Sequence, residues 1–222
     1  AIGYYSLVSQ NAGANAYSTA LGWEAGRNIS TGVNNTIIGG LAGDAITTGN
    51  YNVAVGNHAL GAEDAHSKNT AIGYGTLSVQ NAGLDAHNTA VGYLAGSAVS
   101  TGAYNVLIGA NAGDALTTGL NNVAIGYEAL STEDAHGTNV AIGFRSLKIQ
   151  DAGANAYNTA VGHNTGTAIS TGAENTLIGG DAGKALTTGA ANVVVGAWAL
   201  ETETAYVYNT AIGYKALRVQ DA

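Results

Sequence analysis

Glycine returns along this chain at fixed intervals, and the residues around it return with it. The stretch Asn69–Leu77, NTAIGYGTL, recurs thirteen times, counting partial copies at both ends. Its glycine stands at Gly3, Gly22, Gly39, Gly56, Gly73, Gly92, Gly109, Gly126, Gly143, Gly162, Gly179, Gly196 and Gly213. The steps are 19, 17, 17 and 17 residues and then repeat, so the pattern closes on itself every 70 residues. Self-similarity at this period belongs to solenoids, in which each coil packs only on its neighbours. That constraint overrides the prior of one or two ordinary domains for a chain of 222 residues. Residues 1–222 are expected to form one continuous stack of about 13 coils.

Counted from the residue after the asparagine, position 1 is Thr or Val, position 2 is mostly Ala, position 3 is Ile, Val or Leu, and position 4 is always Gly. A short β-branched run bounded by Asn and Gly predicts a strand of four to six residues, and a 17-residue coil has room for two strands and two turns. A glycine in every unit would cost a helix ~1 kcal/mol each. The expected class is therefore all-β, a parallel β-solenoid or β-roll.

Side chains alternate across a strand, so positions 1 and 3 share one face and positions 2 and 4 the other. Position 3 is aliphatic in every copy, which assigns its face to the coil interior. Ala71, Ala90, Leu107 and Ala124 then point outward beside Gly73, Gly92, Gly109 and Gly126. This apolar stripe of small residues would let another body come close. Ile37, Leu107 and Leu177, larger and 70 residues apart, would interlock with symmetry mates across that contact.

Beyond the glycine, position 7 is small. Position 8 alternates between Leu (Leu60, Leu77, Leu130) and Gly (Gly43, Gly96, Gly113). Where it is Gly, an aliphatic residue follows three places later (Ile46, Val99, Leu116), filling the same interior space by another backbone path. Those coils then turn at Thr-Gly, as at Thr101-Gly102, where glycine is expected to supply a positive φ. Asn precedes the strand in eleven of twelve coils, among them Asn69, Asn88, Asn105 and Asn122, with Ser18 the exception. Asn tolerates left-handed backbone, and amides stacked about 4.8 Å apart form a ladder. Turn chemistry accounts for this row better than a ligand-binding ridge does.

Charge narrows the function. Charged residues are 10% of the chain and the net charge is −8, which argues against coating nucleic acid or gripping anionic membranes. No apolar run approaches the ~20 residues that span a bilayer. Without cysteine there are no disulfides or thiolate metal sites. The chain lacks methionine and opens in mid-motif at Ala1-Ile2-Gly3, so it is expected to be a segment of a longer fibrous protein.

The block N-[TV]-A-[IV]-G-x-x-A, as in Asn122–Ala129 and Asn209–Ala216, resembles the head repeats of trimeric autotransporter adhesins. It is still more similar to the NTAIGYxAL repeats of bacteriophage tail fibres and related bacterial surface fibres. The resemblance covers the whole chain and is specific in the strand. It implies a parallel β-roll packed as a homotrimer with the strands nearest the shared axis. It also implies an extracellular place, at a cell surface or on a virion tail fibre, and a host-cell or surface receptor, glycans included.

Candidates for chemistry are few. The hexapeptide [LIV]-G-x-x-[STA]-x, as in Ile125–Leu130, also marks left-handed β-helix acyltransferases, but only one hexad fits in each coil here. Glu63-Asp64-Ala65-His66 and Glu133-Asp134-Ala135-His136 combine carboxylate and imidazole, as metal ligands do. The third copy reads Glu203-Thr204-Ala205-Tyr206, so these are expected to be solvated turns, with no metal, cofactor or catalysis. Position 5 is often aromatic. Tyr74, Tyr93 and Tyr127 offer a stacking face for sugars, against the plainer expectation that they pack between neighbouring coils or chains. The expected function is structural and adhesive: a shaft or head that mediates attachment. The alternative is a monomeric β-solenoid binding a repetitive ligand such as glycan or ice.

Overall fold

The computed structural model describes all residues except Ala14, Glu63, His66, Leu84, Asp134, Glu203 and 219–222. Among the described residues, twelve strands of three residues each lie in one parallel sheet, ordered as in the chain. They are β1 (Thr19–Leu21), β2 (Thr36–Ile38), β3 (Val53–Val55), β4 (Thr70–Ile72), β5 (Thr89–Val91) and β6 (Val106–Ile108), then β7 (Val123–Ile125), β8 (Val140–Ile142), β9 (Thr159–Val161), β10 (Thr176–Ile178), β11 (Val193–Val195) and β12 (Thr210–Ile212). Register is strict: Thr70 pairs with Thr89, Ala71 with Ala90 and Ile72 with Val91, and so on along the stack. The first sequence motif contributes only a single bridge, from Ile2 to Leu21.

Among the described residues each coil has one strand, not two, and that strand is shorter than the four to six residues expected. The rest of the coil is tight turns. Three non-glycine positions explain the sharpness. Position 6, position 8 in the Leu coils, and the residue before the asparagine all stand at left-handed φ. Examples are Leu94 (53°), Leu77 (48°) and His87 (53°). Most of these residues are not glycine, so the sequence did not announce them. Hydrogen bonds between coils hold them in place. The Leu94 N–H donates to the Tyr74 carbonyl at 2.9 Å and the Asn111 N–H to the Tyr93 carbonyl at 2.9 Å. Coil-to-coil bonding thus continues well outside the sheet, which is why three-residue strands suffice.

The asparagines form an interior ladder. The Asn105 N–H donates to Asn88 Oδ1 at 2.9 Å, and Asn105 Oδ1 accepts from the Asn122 N–H at 2.9 Å. The Asn105 amide also donates to the Gly119 carbonyl at 2.9 Å. These side chains are buried, and buried amides must be satisfied in this way. The left-handed residue is the one before each asparagine; the asparagine's own role is the ladder.

The core is small. It consists of position 2, the small residue at position 7, and either Leu at position 8 or the aliphatic three places later. The two alternatives fill the same space, as expected: a methyl group on Gly96 would meet Val99, Leu77 and Leu107. The Thr-Gly turns differ from expectation. Gly102 does not have a positive φ. Its need is room, because a Cβ there would stand 2.6 Å from the Gly119 carbonyl oxygen in the next coil.

Coils with the 19-residue step place their two extra residues in a loop that leaves the strand register intact. Gly83 and Gly153, in two such loops, have no atom near a would-be Cβ, so the loops stand away from the body of the stack.

Candidate functional site

The outward face of the sheet reverses the expected assignment. Ala71, Ala90, Leu107 and Ala124 are completely buried inside the coil. Positions 1 and 3 face out: Ile72 is 38% exposed, Ile108 36% and Ile178 41%. The strand alternates as expected, but its two faces are exchanged relative to the expected assignment. The physical reason is volume. With one strand per coil the cross-section is narrow, and it is already occupied by Asn, by the small residue at position 7 and by one large aliphatic. In most coils alanine fills the place opposite them. Ile37, Leu107 and Leu177 do not interlock outside the coil; they lie within it, where Gly43, Gly113 and Gly183 leave space.

The result is a continuous band. One row runs Leu21, Ile38, Val55, Ile72, Val91, Ile108, Ile125, Ile142, Val161, Ile178, Val195, Ile212, and a parallel row carries Thr or Val at each rung. Position 3 is half-buried or exposed at every rung of the isolated chain. Gly73, Gly92, Gly109 and Gly126 close the strands at positive φ against the backbone of the next coil. Asn69, Asn88, Asn105 and Asn122 are interior, so they offer no ridge to a ligand.

Aromatic columns lie just outside the strands in sequence. At position 5, Tyr74 stacks on Tyr93 with ring centroids 5.5 Å apart, Tyr127 on Phe144 at 5.5 Å, and Phe144 on His163 at 5.1 Å. These rings pack coil on coil, and Tyr74, Tyr93 and Tyr127 keep about half their surface exposed. A second column was missed. Tyr17, Tyr51, Tyr104, Tyr157 and Tyr208, two places before the strand, are all exposed, and His87 stacks on Tyr104 at 5.3 Å. The recurring tyrosine at that place was the available signal.

Charge is concentrated at a few points. Lys148 Nζ lies 2.6 Å from Glu128 Oε2 and Arg145 Nε lies 2.9 Å from it. The hydrogen bond from Lys148, with further ones from Tyr127 and Arg145, lowers the Glu128 carboxyl to about 2. Asp44, His58 and Tyr74 border a surface hollow of about 450 Å³. Burial there pushes the Asp44 carboxyl up, with Arg27 opposing.

One turn is not solvated as expected. Glu133 is fully buried, and its Oε1 accepts the His136 backbone N–H at 3.1 Å. Glu133, His136 and Asp151 bring ligand atoms within 4.8 Å of one another. The counterpart residues Glu63, His66 and Glu203, together with Asp134, lie outside the described residues.

No helix among the described residues is long and apolar enough to cross a membrane. No protein-family model, no curated protein and no solved structure matches this chain.

Proposed function

We propose that the chain is a shaft or head segment of a trimeric surface or tail fibre that mediates attachment to a host or surface. The observation that carries this reading is the outward band of the twelve-stranded sheet. Exposed apolar bands of this extent mark interfaces. Three copies turning their sheets to a common axis would cover the band, and closed symmetry would stop growth sideways. The repeat's resemblance to fibre heads and tail fibres favours three chains over two. Strands on the axis leave the turns and the protruding loops outside, where a receptor is met. On this reading the segment's work is mechanical and adhesive, with no turnover.

Light scattering on the purified segment should give about three times the 22.0 kDa chain mass. A stable, soluble monomer at micromolar concentration would sink the trimer.

One observation favours a second reading. Seven of the twelve rungs place Thr beside the aliphatic row: Thr19, Thr36, Thr70, Thr89, Thr159, Thr176 and Thr210. A regular face of threonine and aliphatic side chains, stepped about 4.8 Å apart, suits a repetitive ligand such as ice or glycan. That reading requires a monomer, so the same mass measurement separates the two.

A further inference from the structure

Each 70-residue block has a coil with an acidic turn, but the blocks differ in chemistry. The middle block carries Glu133, His136 and Asp151. The preceding block has Glu63, His66 and Asn81 at those places, and the following one has Glu203, Tyr206 and Asp221. In the sequence, the middle block is the one with two carboxylates and an imidazole at these three places.

Glu133 has no exposed surface, and its Oε2 has no hydrogen-bond partner. His136 Nδ1 is also buried and makes no hydrogen bond, and it lies 3.4 Å from Glu133 Oε1, at ion-pair distance. Asp151 comes from the next coil and is exposed, and its backbone N–H is fixed by the Ser170 carbonyl at 2.7 Å. A buried carboxylate oxygen without a donor is costly, and a second carboxylate beside it adds like charge. Lys148 does not relieve this, because its ammonium is engaged by Glu128 at 2.6 Å. The His136 imidazole faces Oε1 and leaves Glu133 Oε2 without a partner.

We propose that Glu133, His136 and Asp151 form a site for a divalent transition metal such as zinc, with three protein ligands and a fourth position open to water. The donor set selects the class of ion. Imidazole with carboxylates suits zinc and its neighbours, whereas calcium and magnesium take oxygen-only shells. Zinc bonds of about 2.0–2.2 Å put tetrahedral donors roughly 3.4 Å apart. The three ligand atoms, already within 4.8 Å, reach that spacing by small rotations. Exposed Asp151 and half-buried His136 are free to make them. The bound ion would tie one coil to the next.

The intact chain, stripped with a chelator and dialysed against zinc, should retain one zinc per chain by elemental analysis. Glu133→Gln, His136→Gln and Asp151→Asn should each weaken retention ten-fold or more, and excess calcium should not compete. Cobalt in place of zinc should give the strong visible absorption of four-coordinate geometry. Asp151 is on the surface, so Asp151→Asn keeps the test sound if an interior variant fails to fold by circular dichroism. Substoichiometric zinc in the folded parent would overturn the site. So would full retention in folded Asp151→Asn, which would place the ion elsewhere.

Discussion

At Gly109 a methyl group has nowhere to go. Its φ is +133°, and a Cβ would stand 2.5 Å from the carbonyl oxygen of Gly126 in the next coil. Both the conformation and the contact exclude a side chain. Gly109→Val is therefore expected to lose on the order of 3 kcal/mol, read as a large drop in melting temperature. Asn111, two residues on, stands at φ 55°, so Asn111→Gly is the matched change that should leave melting nearly unaltered; equal melting of the Gly109 variant and the parent would refute the packing argument. A second residue makes a prediction about pH. Glu128 has its carboxyl lowered to about 2 from an ordinary 4.5. A lowered folded value stabilises the folded state above pH 4.5, and that contribution is lost as pH falls toward 2. Lys148→Gln removes the largest cause, so the carboxyl resonance of Glu128 should then titrate closer to the ordinary value. No change in its midpoint would show that the ion pair does not form in solution.

The strand shows how far the sequence could be read. Its existence, its place before the glycine and its parallel register were legible, because a β-branched run between Asn and Gly leaves little choice. The equivalence of Leu at position 8 with the later aliphatic was legible too. Which face points inward was not. Hydrophobicity put Ile72 inside, but the deciding quantity was the cross-section of the coil, fixed by left-handed turns at Leu77, Leu94 and His87 that their residue types do not advertise. The cluster at Glu133 was half legible: Glu133 and His136 were noticed as potential ligands, but Asp151 follows fifteen residues after His136 and reaches them only through the stack. The corrected face makes its own prediction. Val91→Asp with Ile108→Asp changes outward side chains on β5 and β6, so on the proposed trimer each chain should keep its β circular dichroism while the mass falls to that of a monomer. An unchanged mass at neutral pH would mean that this face is not where the copies meet.

Across the whole molecule, every coil touches only the one above and the one below, so stability accumulates along one axis. Twelve strands in unbroken register make a rod roughly 50 Å long at about 4.8 Å per step. The loops at Gly83 and Gly153 project from this rod without disturbing the sheet. They recur once in every four coils, which sets them about 19 Å apart along the axis. The stack therefore behaves as a graduated ruler, with a constant spacing between marks and freedom in what each mark displays. A peptide grafted between Gly153 and Ala154 would be presented at a fixed height. Grafts in successive blocks would be spaced by the sheet and not by the peptide, so valency and pitch become properties of the backbone.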